Sequence, residues 1–193
     1  TTRLVGSEMC IRDRDYGIPQ TRERLWIFGY LGTLPEDFDI IPPKVPLKGY
    51  LKDFLDEHPT EDLYKSQKQI ARIHEIHHND VFDVSEPLCY DIYNRKIRTD
   101  RLCMTVTPPE HNVIRIIEPM VDGLERFRKL SLDEHFRLMG FILNDKKREI
   151  LFPPTLNYTK LGRRAGNGWD INLVGILSVS YTHLRAHETR SNL

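Results

Sequence analysis

One short apolar run, Leu25-Trp26-Ile27-Phe28-Gly29-Tyr30, most constrains what this chain can fold into. Six uncharged residues closed by Gly32 suit a buried strand and are too few for a core helix. Pro35, Pro42, Pro43 and Pro46 follow. Neither a helix interior nor a central strand accommodates that spacing, so the chain leaves one structural unit here for another. Residues 47–55 read as a short helix with Leu51, Phe54 and Leu55 on one face, and 67–78 as a polar helix turning Ile70, Ile73 and His77 inward. Between 81 and 117 extended pieces alternate with Asn, Asp and Pro turns, the pattern of a small, irregular β-rich unit. Ser131 followed by Glu134 makes a capping box, predicting a helix over 132–139 stopped by Gly140. A second apolar helix is expected over 169–177, entered through the Ala165-Gly166-Asn167-Gly168 turn. The layout is a strand, an excursion, then helices that return to the first unit.

Lys+Arg and Asp+Glu both number 28 in 193 residues, which excludes a globally basic nucleic-acid coat while leaving room for a local basic strip. No stretch approaches 18 apolar residues, so a membrane span is not expected. No charged segment followed by an apolar core opens the chain, so no secretory leader is read. Cys10, Cys89 and Cys103 have no Cys-x-x-Cys spacing, which argues against a disulfide scaffold or zinc ribbon and makes a reducing cytoplasm the expected compartment.

Residues 4–14 and 178–190 fit no helical or strand period. Both resemble peptides produced when sequencing-adapter reads are translated at the ends of a metagenomic contig; the alternative is a pair of natural flexible tails. Without them the expected native segment runs from Asp15 to Leu177. The ends hold five arginines and three acids, leaving that segment at −2.

Four groups of residues bear on chemistry. Arg22 and Arg24 lie two apart, on one face of a strand, where paired guanidiniums suit a phosphate, a base edge or a buried carboxylate. Gly166-Asn167-Gly168 is placed to open a helix, where free backbone N–H groups can meet a ligand oxygen. Arg95, Lys96, Arg98 and Arg101, set against Asp100, form the densest basic strip, with Lys65, Lys68 and Arg72 as further phosphate candidates and Tyr90, Tyr93 and Asn94 nearby. His74-Glu75-Ile76-His77-His78 fits His-Glu-x-x-His, in which a zinc hydrolase would use His74 and His78 as ligands and Glu75 as base. No third ligand is well spaced, and the Gly and further His of the extended motif are absent.

Three segments in order resemble the C-terminal half of the cytosine-5 DNA methyltransferases. Residues 16–29, from Tyr16 through Gln20, Arg22 and Arg24, are similar to that family's Gln-x-Arg-x-Arg motif and following strand. Residues 128–141, around Arg128, Glu134 and Arg137, resemble its penultimate motif, and Arg164-Ala165-Gly166-Asn167-Gly168-Trp169-Asp170 its last. Tyr90-Asp91 to Thr105-Val106-Thr107 also looks like the end of the family's target recognition domain.

The resemblance implies an α/β fold: the C-terminal portion of a Rossmann-like methyltransferase with a small mixed recognition domain inserted. Its expected divisions are 15–34 for the catalytic-domain strand, 35–125 for recognition and 126–177 for the returning helices, with 1–14 and 178–193 as the foreign tails. It assigns Arg24 to the flipped cytosine and Arg22 to holding the catalytic loop. Arg137 becomes an interdomain link, and Asn167 and Gly168 contact S-adenosylmethionine. Gln20, Arg95, Lys96, Arg98, Arg101 and Thr105 become DNA contacts. The family places a Ser at the position of Gly168, and Trp169 stands where a small aliphatic is usual. The implied partners are duplex DNA and the cofactor, with no membrane, a monomeric complete enzyme and a restriction–modification setting. The family's Pro-Cys nucleophile, Glu-Asn-Val motif and Gly-rich cofactor loop are missing from these 193 residues. The chain therefore reads as a fragment inactive by itself, with a non-catalytic DNA-binding module as the alternative.

Overall fold

The computed structural model describes residues 4–31, 41–78, 80–108 and 114–191, with side chains outside 4–9, 28–31 and 183–191. It is a mixed α and β structure with two antiparallel sheets. The first pairs β1 (Leu4–Arg12) with β2 (Glu23–Leu31), register Arg12↔Glu23 to Leu4↔Leu31. The second has four strands in the order β4-β3-β5-β6: β3 Leu88–Asp91, β4 Lys96–Arg98, β5 Ile114–Val121 and β6 Leu124–Arg128. Helix α1 (Gln67–His77) covers one face of the second sheet. Helices α2 (Leu132–Arg137), α3 (Asp145–Leu151), α4 (Tyr158–Asn167) and α5 (Ile171–Ser191) follow.

The helices start where their side chains satisfy orphan backbone donors. Ser66 and Ser131 close capping boxes with Gln69 and Glu134, as the second was expected to do, and Asn144 and Asn157 cap α3 and α4. Gly140, at φ +83°, ends the α2 segment in the left-handed region. The expected helix at 47–55 is a 3₁₀ turn, Leu51–Phe54. The core is in patches. Leu51, Cys89, Cys103, Val106, Ile114, Ile116, Leu130 and Leu138 fill one side of the second sheet. Ile70, Tyr90, Ile117 and Phe127 pack under α1. On the first sheet Ile11 and Tyr16 meet Leu173 and Leu177 of α5.

Four expectations change. Residues 4–12 were read as without period, yet they pair as β1: backbone N–H and C=O groups of β2 accept a neighbouring strand whatever its side-chain alternation. Residues beyond 177 continue α5, because Leu173 and Leu177 anchor its first turns and extension adds one hydrogen bond per residue. The run at 25–30 is not buried throughout: Leu25 and Ile27 are 58% and 68% exposed, since β1 is the only strand paired with β2 among the described residues. The division expected at 125/126 falls inside β6. The opposite division, at 34/35 with Pro35, lies outside the described residues. Among the described residues no helix is long and apolar enough to cross a membrane.

Candidate cofactor and DNA-contacting site

Arg22 and Arg24 leave the start of β2 on the same face, as their spacing requires, and both reach the carbonyl of Gly168, at 2.9 and 3.2 Å. Arg22 is buried. Its guanidinium also donates to Val106 O at 2.6 Å and Gly166 O at 2.7 Å, so one side chain ties three segments far apart in sequence. Arg24 lies over the Trp169 ring at 5.4 Å, and Trp169 meets Trp26 edge to face at 4.4 Å. The Nε atoms of both arginines are buried without a hydrogen-bond partner.

Beneath this lattice Gln20, the residue expected to contact DNA, is fully buried. Its amide nitrogen donates to Asp13 Oδ2 and Leu138 O, both at 3.2 Å, and its oxygen accepts Val106 N–H at 2.6 Å. Polar capacity consumed inside the fold is not offered to a duplex. Two acids close the site. Burial, then the neighbouring Asp170 charge, push the Asp13 carboxyl up to about 7 against the opposing pull of Arg24 and Gln20. Asp170 is likewise raised by burial, although Asn172 donates to its Oδ1; its Oδ2 has no partner. Neither acid stood out in the sequence, because each becomes notable only through the other.

The Gly166-Asn167-Gly168 turn closes α4 rather than opening a helix, which corrects the expectation. Gly168 N–H already donates to Ala165 O, and what the turn presents to the arginines is carbonyls. Asn167 is exposed. The turn therefore fits S-adenosylmethionine poorly as a donor cradle. Beside it lies an apolar cleft of about 620 Å³ lined by Trp26, Phe136, Met139, Phe141, Gly168 and Trp169 among others. That lining suits a ring system, but Arg164 is its one charged residue and no carboxylate is present to take sugar hydroxyls.

Arg128 and Glu134, whose pattern also suits weak surface ion pairs, are both fully buried. The guanidinium forks onto the carboxylate at 2.8 and 2.8 Å, and its Nε reaches Glu118 at 2.5 Å. Burial alone would lower the Arg128 pKa; the paired carboxylates outweigh it and hold the charge firmly. Glu134 also accepts the N–H groups of Ser131 and Asp56, and Arg137 donates to Phe54 O at 2.7 Å and pairs with Asp56. Helix α2 thus clamps residues 54–56.

The basic strip is divided. Arg98 pairs with Asp100 and donates to Thr21 Oγ1 at 2.6 Å, while Arg101 stacks over Tyr50 at 3.9 Å near Glu86. Thr105 donates to Thr21 O at 3.0 Å. Arg95 and Lys96 are exposed. The His-Glu-x-x-His motif does not assemble a metal site: His74 Nε2 is held by Glu125 at 2.9 Å, and His78 is the left-handed residue after α1. Cys89 and Cys103 are buried free thiols, and the Cys103 pKa is raised by its hydrogen bond with Cys89 and by burial, the opposite of an activated nucleophile.

A family model, the C-5 cytosine-specific DNA methylase, matches residues 10–167. The chain belongs to this family. The methylase match embraces Arg22, Arg24, the basic strip, the Arg128–Glu134 pair and helix α4, and ends before Gly168. No protein of curated function matches the sequence. Among solved structures the chain is similar to an Entamoeba histolytica methyltransferase, EhMeth, with a TM-score of 0.56 at 14% identity, a likeness of fold. The alignment covers 92% of this chain and 53% of that one, so this methylase chain spans about half the length of its structural neighbour.

Proposed function

We propose that this chain is the recognition and closing portion of a DNA (cytosine-5-)-methyltransferase. Complete, such an enzyme transfers a methyl group from S-adenosylmethionine to carbon 5 of a cytosine flipped out of a specific duplex site. The observation that carries the reading is the Arg22–Arg24 lattice on Gly166 and Gly168. It joins two segments that resemble motifs of the methylase family and lie about 140 residues apart in the chain. S-adenosylmethionine would supply an electrophilic methyl; this chain's own residues position the turn and strand beside it. Arg24, with its unpartnered Nε, is the candidate for the flipped base, and Arg22 is the positioning residue.

Base modification within a duplex requires extrusion into a pocket and a nucleophile. The chain holds no Pro-Cys, and Cys89 and Cys103 are buried in the core. We therefore expect no transfer of labelled methyl groups from S-adenosylmethionine to DNA by the purified chain. Incorporation above a no-enzyme control would overturn the inactive-fragment reading. Sequencing the source DNA beyond both ends tests the rest. A Gly-rich loop, a Pro-Cys and a Glu-Asn-Val upstream in that order support the enzyme, and native sequence in place of residues 1–14 and 178–193 supports their foreign origin, against which stand the family match from residue 10 and the buried Asp13. The absent nucleophile favours one other reading, a DNA-binding module without catalysis, which an unrelated upstream frame would support.

A further inference from the structure

The fold sorts the basic strip into cations that hold the framework and cations that face solvent. Arg98 and Arg101 are engaged by Asp100, Thr21, Tyr50 and Glu86. Arg95, on the turn between β3 and β4, and Lys96, the first residue of β4, are exposed, with no ion pair among the described residues. Beside them Tyr93 is 80% exposed, more than any other large hydrophobic side chain described.

This turn is built rather than loose. The Asp91 carboxylate accepts the N–H groups of Tyr93 at 2.8 Å and Asn94 at 2.9 Å, and the Asn94 side-chain amide at 2.7 Å. Such an Asx turn fixes the chain through the acid. Three donors also absorb the negative charge nearest the tip. Arg95 sits in the left-handed region at φ +56°, which directs the chain into β4. Burial first, then the Arg95 charge and His74, hold the His77 imidazole below its ordinary pKa. His77 itself faces Tyr90, through a hydrogen bond of 2.5 Å.

The β3–β4 hairpin, at one edge of the four-stranded sheet, holds a lone aromatic ring in water beside two exposed cations, and that ring has no use inside the fold. It lacks the surrounding apolar patch that a protein partner would cover. Its chemistry is that of a nucleic-acid contact: a planar face for a base or sugar, and cations for flanking phosphates. Its shape is one the major groove admits. We propose that the β3–β4 turn is the DNA-reading element of this chain, with Tyr93 at the bases and Arg95 and Lys96 on phosphates. Asp91 is a positioning residue, and Arg98 and Arg101 belong to the framework. The proposal rests on the DNA reading given above.

The test is binding of the full chain to a labelled random-sequence duplex, by fluorescence anisotropy over a series of salt concentrations. Arg95→Gln and Lys96→Gln should each reduce the slope of log K against log salt by about 0.9, the signature of one lost phosphate contact. Tyr93→Ala should weaken binding about tenfold with an unchanged slope, and Tyr93→Phe should restore most of it. Arg98→Gln should leave the slope in place and lower the melting temperature. If wild type binds and the variants at 93, 95 and 96 bind like it while melting normally, the hairpin assignment is overturned and the DNA reading stands. If wild type binds no duplex even at low salt, the DNA reading fails and this one with it.

Discussion

Asp13 carries its proton at a pH where a free aspartate has lost it. Its folded pKa of about 7 lies above the ordinary value of 3.8. Between those two values the folded chain binds more protons than the unfolded one, so stability falls as pH rises from about 4 to 7 and then levels off. Asp13→Asn keeps an acceptor for Gln20 and removes the ionisation. In urea denaturation the variant should gain on wild type across that window, by at most about 1.4 kcal/mol per pH unit, and hold the gain above pH 7. A wild-type profile parallel to the variant's would exclude the effect. The residues that could be read from the sequence were those whose role lies in their own side chain, such as Arg22, Arg24, Ser131 and Glu134. Asp170 and the carbonyls of Val106 and Gly166 were not legible. Backbone acceptors carry no sequence signal, and a buried acid pair is created only when distant segments meet.

At the scale of elements, a glycine decides how closely α4 can lie against residues 107–108. A Cβ on Gly166 would stand 2.2 Å from Pro108 N and 2.5 Å from Thr107 C, both backbone atoms that cannot swing aside. Gly166→Ala should push α4 off residues 107–108, strain the Arg22 bonds and cost about 1–3 kcal/mol in thermal denaturation. Gly175 in α5 has open space around its missing Cβ, and Gly175→Ala should stabilise by up to about 1 kcal/mol. Equal effects would mean that close approach does not hold the α4 turn. The capping boxes made the starts of α1 and α2 readable. The turn at 165–168 misled because Gly-Asn-Gly serves the end of a helix as well as an entry. What decides between them is the helix at Tyr158–Asn167, whose buried face is Leu161, Gly162, Ala165 and Gly166, a periodicity written mostly in small residues.

Over the whole molecule the two sheets are unequally covered. The four-stranded sheet has core on both faces, whereas β2 exposes Leu25 and Ile27, and the cleft by Trp26 and Trp169 opens toward solvent. Exposed apolar surface of this kind drives association. Leu25→Thr with Ile27→Thr should reduce concentration-dependent light scattering while shifting stability by less than about 0.5 kcal/mol. Unchanged scattering would place the association elsewhere. The sequence showed this run as apolar and could not show whether anything lies against it, since burial is a property of the assembled neighbours.

The triple hold of Arg22 also has a consequence in time. Its acceptors lie at 106, 166 and 168, so a chain emerging from the ribosome carries an unsatisfied guanidinium through most of its synthesis. The first sheet cannot acquire its native support until α4 has been made and has folded back. Completion of the fold is thus deferred until α4 has been made, and a nascent chain stalled before residue 168 would present its arginine, its apolar strand edge and an unfilled cleft together to the folding machinery.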